Sequence, residues 1–251
     1  MKACYFIMFD MKKLKEYLSA LSVTIDEAGF EQLNTYYEMV VEKNKVMNLT
    51  AITDEEEFAL KHFADSISLA SAYPKFTEDA LSGKCSLIDV GTGAGFPGIP
   101  LKIVFPKLNV TLLDSLQKRV RFLDEVITEL GLTGITAIHS RAEDGAHDSS
   151  LREGFDYAVS RAVANLSVLT EYTLPFVKKG GSFIAYKSSD ISEELNASSG
   201  AIKKLGGELS ECPSLTLPNS DIGRIFVIIK KTSVTSKRYP RKAGVIKKEP
   251  L

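Results

Sequence analysis

Tryptophan is missing from this 251-residue chain, and histidine and cysteine are scarce and scattered. Cys4, Cys85 and Cys212 form no CxxC pair, so a disulfide framework and a redox motif are both excluded and a reducing cytoplasm is expected. His62, His139 and His147 lack metal-ligand spacing, so they read as ordinary residues and no metal is expected. Long apolar runs are missing too. None approaches the roughly 18 residues needed to span a bilayer, and the N-terminal ACYFIMF stretch is cut short by Asp10 and lysines, which argues against a secretory signal. No internal repeat is visible, and a net charge of −1 gives no whole-molecule field to attract nucleic acid. The expectation is a soluble, monomeric, cytoplasmic protein.

What is present is a mixed pattern with 44% hydrophobic residues, enough to bury a real core. From Asp26 to Met47 the apolar residues Phe30, Leu33, Tyr37, Val40, Val41 and Met47 share one face at a 3.6-residue period. Thr53 and Glu56 have the form of a capping box, and Leu60, Phe63, Ile67 and Ala70 make a second stripe that Pro74 is expected to end. Residues 1–80 are therefore assigned to a helical extension packed on a core domain, 81–251, with a loop near 74–84 between them.

Beyond that loop strands alternate with helices, the signature of a parallel sheet with crossover connections. Strands are expected at 86–90, 109–114, 135–139, 157–160 and 182–186, and two more, at 208–216 and 224–230, form an antiparallel edge hairpin. The clearest helix follows Asp114, with Leu116, Val120, Leu123, Ile127 and Leu130 in phase before Gly131.

Chemistry enters with SLIDVGTGAGFPGIPL. Gly91, Gly93, Gly95 and Gly98 follow an apolar strand and precede a helix, where side chains would obstruct a tight turn and the approach of a ligand to backbone amides. GxGxxG alone also fits a dinucleotide site, which keeps an NAD-dependent oxidoreductase as the alternative. Asp89, two residues before the first glycine, weighs against pyrophosphate and toward the cationic amino-acid end of S-adenosyl-L-methionine (SAM), and Asp114 ends the next strand where ribose hydroxyls need an acceptor. The fold class is thus α/β, a Rossmann-like class I SAM-dependent methyltransferase with a mostly parallel sheet, a C-terminal antiparallel hairpin and the N-terminal helical extension.

With NLTAI at 48–52, KHFADS at 61–66, LIDVGTGAGFPGIPL at 87–101, SRAE at 140–143, SRAVANL at 160–166 and RYPRKAG at 238–244, the chain resembles the RsmG (GidB) family. The resemblance implies methyl transfer from SAM to N7 of a guanine in 16S ribosomal RNA, with the small-subunit rRNA or small ribosomal subunit as partner. It further implies cofactor contacts at Gly91, Phe96, Asp114, Ala142, Glu143 and Arg161, to which the glycine motif adds Gly93. The chain departs from the family at Lys43, where a tryptophan is common, in its final VIKKEPL, and in its first ten residues.

Absences narrow the reaction. Ser160, Arg161 and Ala162 stand where amino-group methyltransferases carry a D/N-P-P-aromatic run, and no cysteine ends the fourth or fifth strand as pyrimidine C5 chemistry requires. Guanine N7 offers an unprotonated lone pair and needs no general base. Lys187 is the single candidate for a catalytic contact, to guanine O6 or the RNA backbone. Arg238, Tyr239, Arg241 and Lys242 are assigned to RNA, the cations to phosphates and the ring to a base, with Lys118, Arg119 and Arg121 extending the patch. A non-catalytic SAM-binding, RNA-associated protein is the other alternative.

Overall fold

The structure, a computed structural model, describes residues 11–161, 164–188 and 190–251. Cys4, the ACYFIMF stretch and Ala162 lie outside them. The helical layer begins with α1 (Met11–Ala20) and α2 (Glu27–Met47). Asp26 caps α2 by accepting the Gly29 amide at 2.8 Å, and Asn48 closes it at φ 49°. The next helix starts one residue later than the capping-box spacing implies, because the cap is Asp54, which accepts the Glu57 amide at 3.0 Å. That segment is continuous but irregular: α3 (Glu55–Phe58) widens into a π-helical stretch, Ala59–Ala64, then tightens into α4 (Asp65–Ile67) and α5 (Leu69–Ala72). Pro74 does not end the helical region. It takes the first position of α6 (Pro74–Ser82), where its missing N–H costs nothing and its fixed φ suits the turn, so most of the expected loop is helix.

Strands β1 (Ser86–Val90), β2 (Asn109–Asp114), β3 (Ile135–His139), β4 (Phe155–Ser160) and β5 (Val177–Ser188) are parallel. Strands β6 (Gly207–Glu211) and β7 (Ser214–Thr216) both pair antiparallel with β8 (Gly223–Lys231), and the order is β3-β2-β1-β4-β5-β8-β6. The hairpin is present, yet β8 is no edge: it lies between β5 and β6, with Phe183 opposite Ile229 and Ala185 opposite Val227.

Alternate residues feed two cores, as the period of a strand buried on both faces requires. Leu87, Ile184, Tyr186, Phe226 and Ile228 join the helical layer, α7 (Gly98–Val104) and α8 (Gln117–Glu129). Ile88, Phe183, Ala185, Val227 and Ile229 face the opposite core, covered by α10 (Leu166–Thr173) and α11 (Ser192–Lys204). The stripe Phe63, Ile67 and Ala70 is buried as its spacing predicts, but Leu116, just ahead of α8, stays 41% exposed. Among the described residues no helix is long and apolar enough to cross a membrane.

Candidate functional site

The chain runs from β1 outward to β3 and then returns to the other side of β1 with β4, so a crevice opens at the C-terminal ends of β1 and β4, where such sheets bind ligands. A cavity of about 300 Å³ lies there. Val90 and Gly91 line it after β1, Asp114 and Ser115 after β2, Ser140 to Glu143 after β3, and Ser160 and Ala164 after β4. Glu143 belongs to the short helix α9 (Ala142–Gly145).

The four glycines divide their labour. Gly91 (φ 75°) and Gly93 (φ 65°) hold the left-handed conformation with nothing within 4 Å of where a Cβ would sit. A Cβ on Gly95 would strike Ile99 and the Tyr36 hydroxyl, and one on Gly98 would strike Leu112 at 2.4 Å. The first pair leaves room for a ligand; the second lets the loop close on the helical layer and on β2.

Asp89 is fully buried. Its Oδ2 accepts the Thr92 hydroxyl at 2.7 Å and the Gly98 amide at 2.8 Å, while Oδ1 has no partner among the described residues. Burial raises its pKa to about 6 against the pull of those two donors. Asp114 is more engaged than its position suggests, with Oδ1 accepting the Leu116 amide at 2.8 Å and Oδ2 accepting Gly93 N–H at 3.0 Å and Arg119 at a loose 3.4 Å. Arg119 therefore turns into the cavity and does not extend a surface patch; Lys118 and Arg121 stay exposed. An orphaned carboxylate oxygen, two open glycines, Asp114 at the end of β2 and Glu143 on α9 form a donor and acceptor set that fits SAM.

Phe96 and Arg161, expected among these residues, lie elsewhere. Phe96 is buried in an aromatic cluster with Tyr36 and Phe58 and stacks on His62 at 4.6 Å and 11°. The Arg161 guanidinium sits 5.2 Å from the Phe96 ring centre and donates to Asp65 Oδ2 at 2.9 Å and the Lys61 carbonyl at 3.1 Å. Arg161 lines a second cavity, of about 680 Å³, that shares Ala164 with the first. Phe96 backs it, and Lys61, His62, Asp65, Arg161, Tyr186, Lys187, Glu194 and Arg224 are in its lining.

Charge in the second cavity is paired through long-range contacts. Asp65, 2% exposed, receives Arg161 on one oxygen and Arg224 Nε on the other at 2.6 Å. Lys187 is held by Glu194 at 2.6 Å and the Ala164 carbonyl at 2.7 Å. Arg161 Nη2 is 3.2 Å from His62 Nδ1, and since arginine only donates, Nδ1 accepts and Nε2–H donates to Thr50 Oγ1 at 2.7 Å. Asn44 fixes Thr50 through its amide and carbonyl, at 2.9 Å each. Burial first and the Arg161 charge second lower the His62 pKa to about 3, so the ring is neutral.

The C-terminal residues correct another expectation. The Tyr239 ring is buried and cannot stack on a base, and Arg241 grips the fully buried Glu171 through Nε at 2.9 Å and Nη2 at 2.7 Å. Arg238 and Lys242 alone of the four stay exposed. Ala243 and Lys247 of the last helix, α12 (Ala243–Lys248), line the first cavity, which no sequence signal marked. Among the described residues no group of three metal-type ligands comes together; His139 and His147 make contacts with backbone carbonyls.

The GidB family model, described as rRNA small subunit methyltransferase G, matches residues 29–222. The chain belongs to the GidB family. A ribosomal RNA small subunit methyltransferase G from Alkaliphilus metalliredigens is 50% identical over 239 residues, covering 95% of this chain and 97% of that one. A protein of the same name from Lachnoclostridium phytofermentans is 49% identical over 93% of this chain and 94% of its own. Among solved structures, a 16S rRNA (adenine(1408)-N(1))-methyltransferase from Catenulisporales acidiphilia superposes with a TM-score of 0.50 at 14% identity, covering 65% of this chain and 93% of that one, a likeness of fold alone. The blocks that marked the GidB resemblance converge in space: Thr50, His62, Asp65 and Arg161 come from three of them and form one hydrogen-bonded chain.

Proposed function

We propose that this chain transfers the methyl group of SAM to N7 of a guanine in 16S ribosomal RNA. One observation carries the proposal: a strand-end cavity suited to the cofactor opens beside an ionic cavity suited to a nucleotide, with Ala164 in the wall of both. The GidB relatives' name supports the substrate class. An antiparallel β8 set between β5 and β6 departs from the dinucleotide-binding strand order and speaks against an NAD-dependent oxidoreductase.

Bound at the strand ends, SAM supplies an electrophilic methyl group on a cationic sulfur. Gly91 and Gly93 leave its path along the backbone open, the Asp89 oxygen without a partner suits its ammonium end, and Asp114 takes ribose hydroxyls by exchanging its weak contact to Arg119. Ala142 and Glu143, after β3, would hold the adenine.

In the second cavity Lys61, Arg161, Lys187 and Arg224 outnumber Asp65 and Glu194, which favours a base with its phosphate. No lining group there is a free base: both His62 nitrogens are engaged, and Glu194 is neutralised by Lys187. Methylation of an oxygen or an amine needs a proton removed, whereas guanine N7 does not. The walls contribute placement and electrostatics, with Lys187 near O6 or a phosphate. Incubating the protein with labelled SAM and undermethylated small subunits should put label on guanine N7; label on another atom, or none, would refute the assignment.

A further inference from the structure

The C-terminal segment was expected to reach for RNA, yet half of its signature residues point inward. Arg152, itself fixed by the Ala146 carbonyl at 2.7 Å, gathers three carbonyls of the segment and its approach: Thr235 at 2.8 Å, Tyr239 at 2.9 Å and Ser236 at 3.2 Å. The His147 ring adds a bond to the Pro240 carbonyl at 2.8 Å. Further on, Arg241 puts its backbone amide, Nε and Nη2 on Glu171, a carboxylate with 0% exposure on α10. Leu169, Tyr172 and Thr173 of the same helix line the first cavity, as do Ala243 and Lys247 on the other side of the ion pair. The segment thus bridges the chain after β3 and the helix after β4.

Beyond Pro240 its hold rests mainly on that ion pair. Ile246 is the buried side chain of α12, while Val245 is 40% exposed and Lys248 exposed. A six-residue helix with one buried apolar anchor has no stability of its own and stays where the Arg241–Glu171 pair puts it. Breaking that pair leaves a carboxylate in the interior without its cation, so the seat of the helix and the wall of the cavity are lost together.

We propose that residues 237–251 form a strap that closes the nucleoside end of the cofactor cavity, with the Arg241–Glu171 pair as its lock and Ala243 and Lys247 as its inner surface. The proposal rests on that cavity taking SAM. Asp114, Glu143, Ala243 and Lys247 line one cavity, so a nucleoside held by those acids would lie against the strap, while Ala164 is shared with the second cavity, on the acceptor side. Arg241 is a positioning residue, and the outward cations Arg238 and Lys242 remain for RNA.

Calorimetric titration of SAM into the full-length protein tests this, with a melting curve for each variant. Arg241→Ala should weaken SAM binding about tenfold or more, a loss of about 1.4 kcal/mol. Ala243→Trp touches no ion pair and should block SAM binding while melting like the parent, so it carries the test if Arg241→Ala fails to fold. The double variant Arg238→Ala, Lys242→Ala should bind SAM normally, and SAM should protect the parent from tryptic cleavage after Lys242 and Lys247. SAM affinities of Arg241→Ala and Ala243→Trp within twofold of the parent would overturn the strap and leave the cavity assignment standing. A parent that binds no SAM would overturn both.

Discussion

The two cavities share Ala164 and are built by opposite means. The first is built at strand ends and short loops, with the open Gly91 after β1 and the acids Asp114 and Glu143 after β2 and β3. The second is mostly side chain, and its partners meet from far apart, as Arg161 and Arg224 do on Asp65. A backbone site is specified by local sequence, and it tolerates little change because its shape is the fold itself. A side-chain site depends on which charges the fold happens to neutralise, and single substitutions can disarm it while the sheet remains.

Removing the acid at the heart of the second cavity should break this contrast most severely. Asp65→Ala leaves two mostly buried arginines without their shared carboxylate, and urea denaturation should show a loss of about 3–5 kcal/mol. A loss below about 1 kcal/mol would mean that the pair is solvated and that the ionic cavity is not a structural unit.

Acid should pull the two sites in opposite directions. Asp89 has a raised pKa, so its contribution to stability is fully present below pH 3.8 and is lost as pH rises through about 6, on the order of 3 kcal/mol. His62 has a lowered one, so its contribution is present above pH 6.5 and is lost as pH falls toward about 3. Between pH 4 and 6 the two slopes oppose. Relative to the parent, Asp89→Asn should lose stability on acidification and His62→Gln should gain it. Parallel stability curves for parent and variants would show that neither group is buried as described.

Smaller effects sharpen the comparison. Gly98→Ala drives a methyl group into Leu112 and should cost about 1–3 kcal/mol of stability. Lys187→Ala leaves the first cavity intact and should lower kcat/KM for RNA at least tenfold, about 1.4 kcal/mol of transition-state stabilisation, with unchanged SAM affinity. Equal losses in SAM affinity and turnover would place Lys187 at the cofactor.

How far each region was legible follows from the same physics. Strand-helix alternation, the glycine loop and Asp114 are local patterns, and the sheet and first cavity appear where those patterns put them. The striped element stops at Ala72, ahead of Pro74, but the loop expected near 74–84 is mostly helix because proline both ends helices and begins them. Phe96 and Arg161 lie next to residues of the first cavity in sequence, but the loop turns their side chains to the other side, which neither spacing nor residue type reveals. Tyr239 and Arg241 sit in a cationic run that resembles a solvated arm, and partners some seventy to ninety residues away, Arg152, His147 and the buried Glu171, turn that run inward. His62 carried no metal spacing and was passed over, although its role is to be a neutral ring between Thr50 and Arg161.

Asp65 also bears on how the molecule is made. During synthesis the helical layer emerges long before the strand that carries Arg224, 159 residues later. Until then the carboxylate lacks one of its two cations, and the first layer has little of the sheet face on which it packs. The layer should therefore stay loose on the ribosome and set only when β8 threads in beside β5.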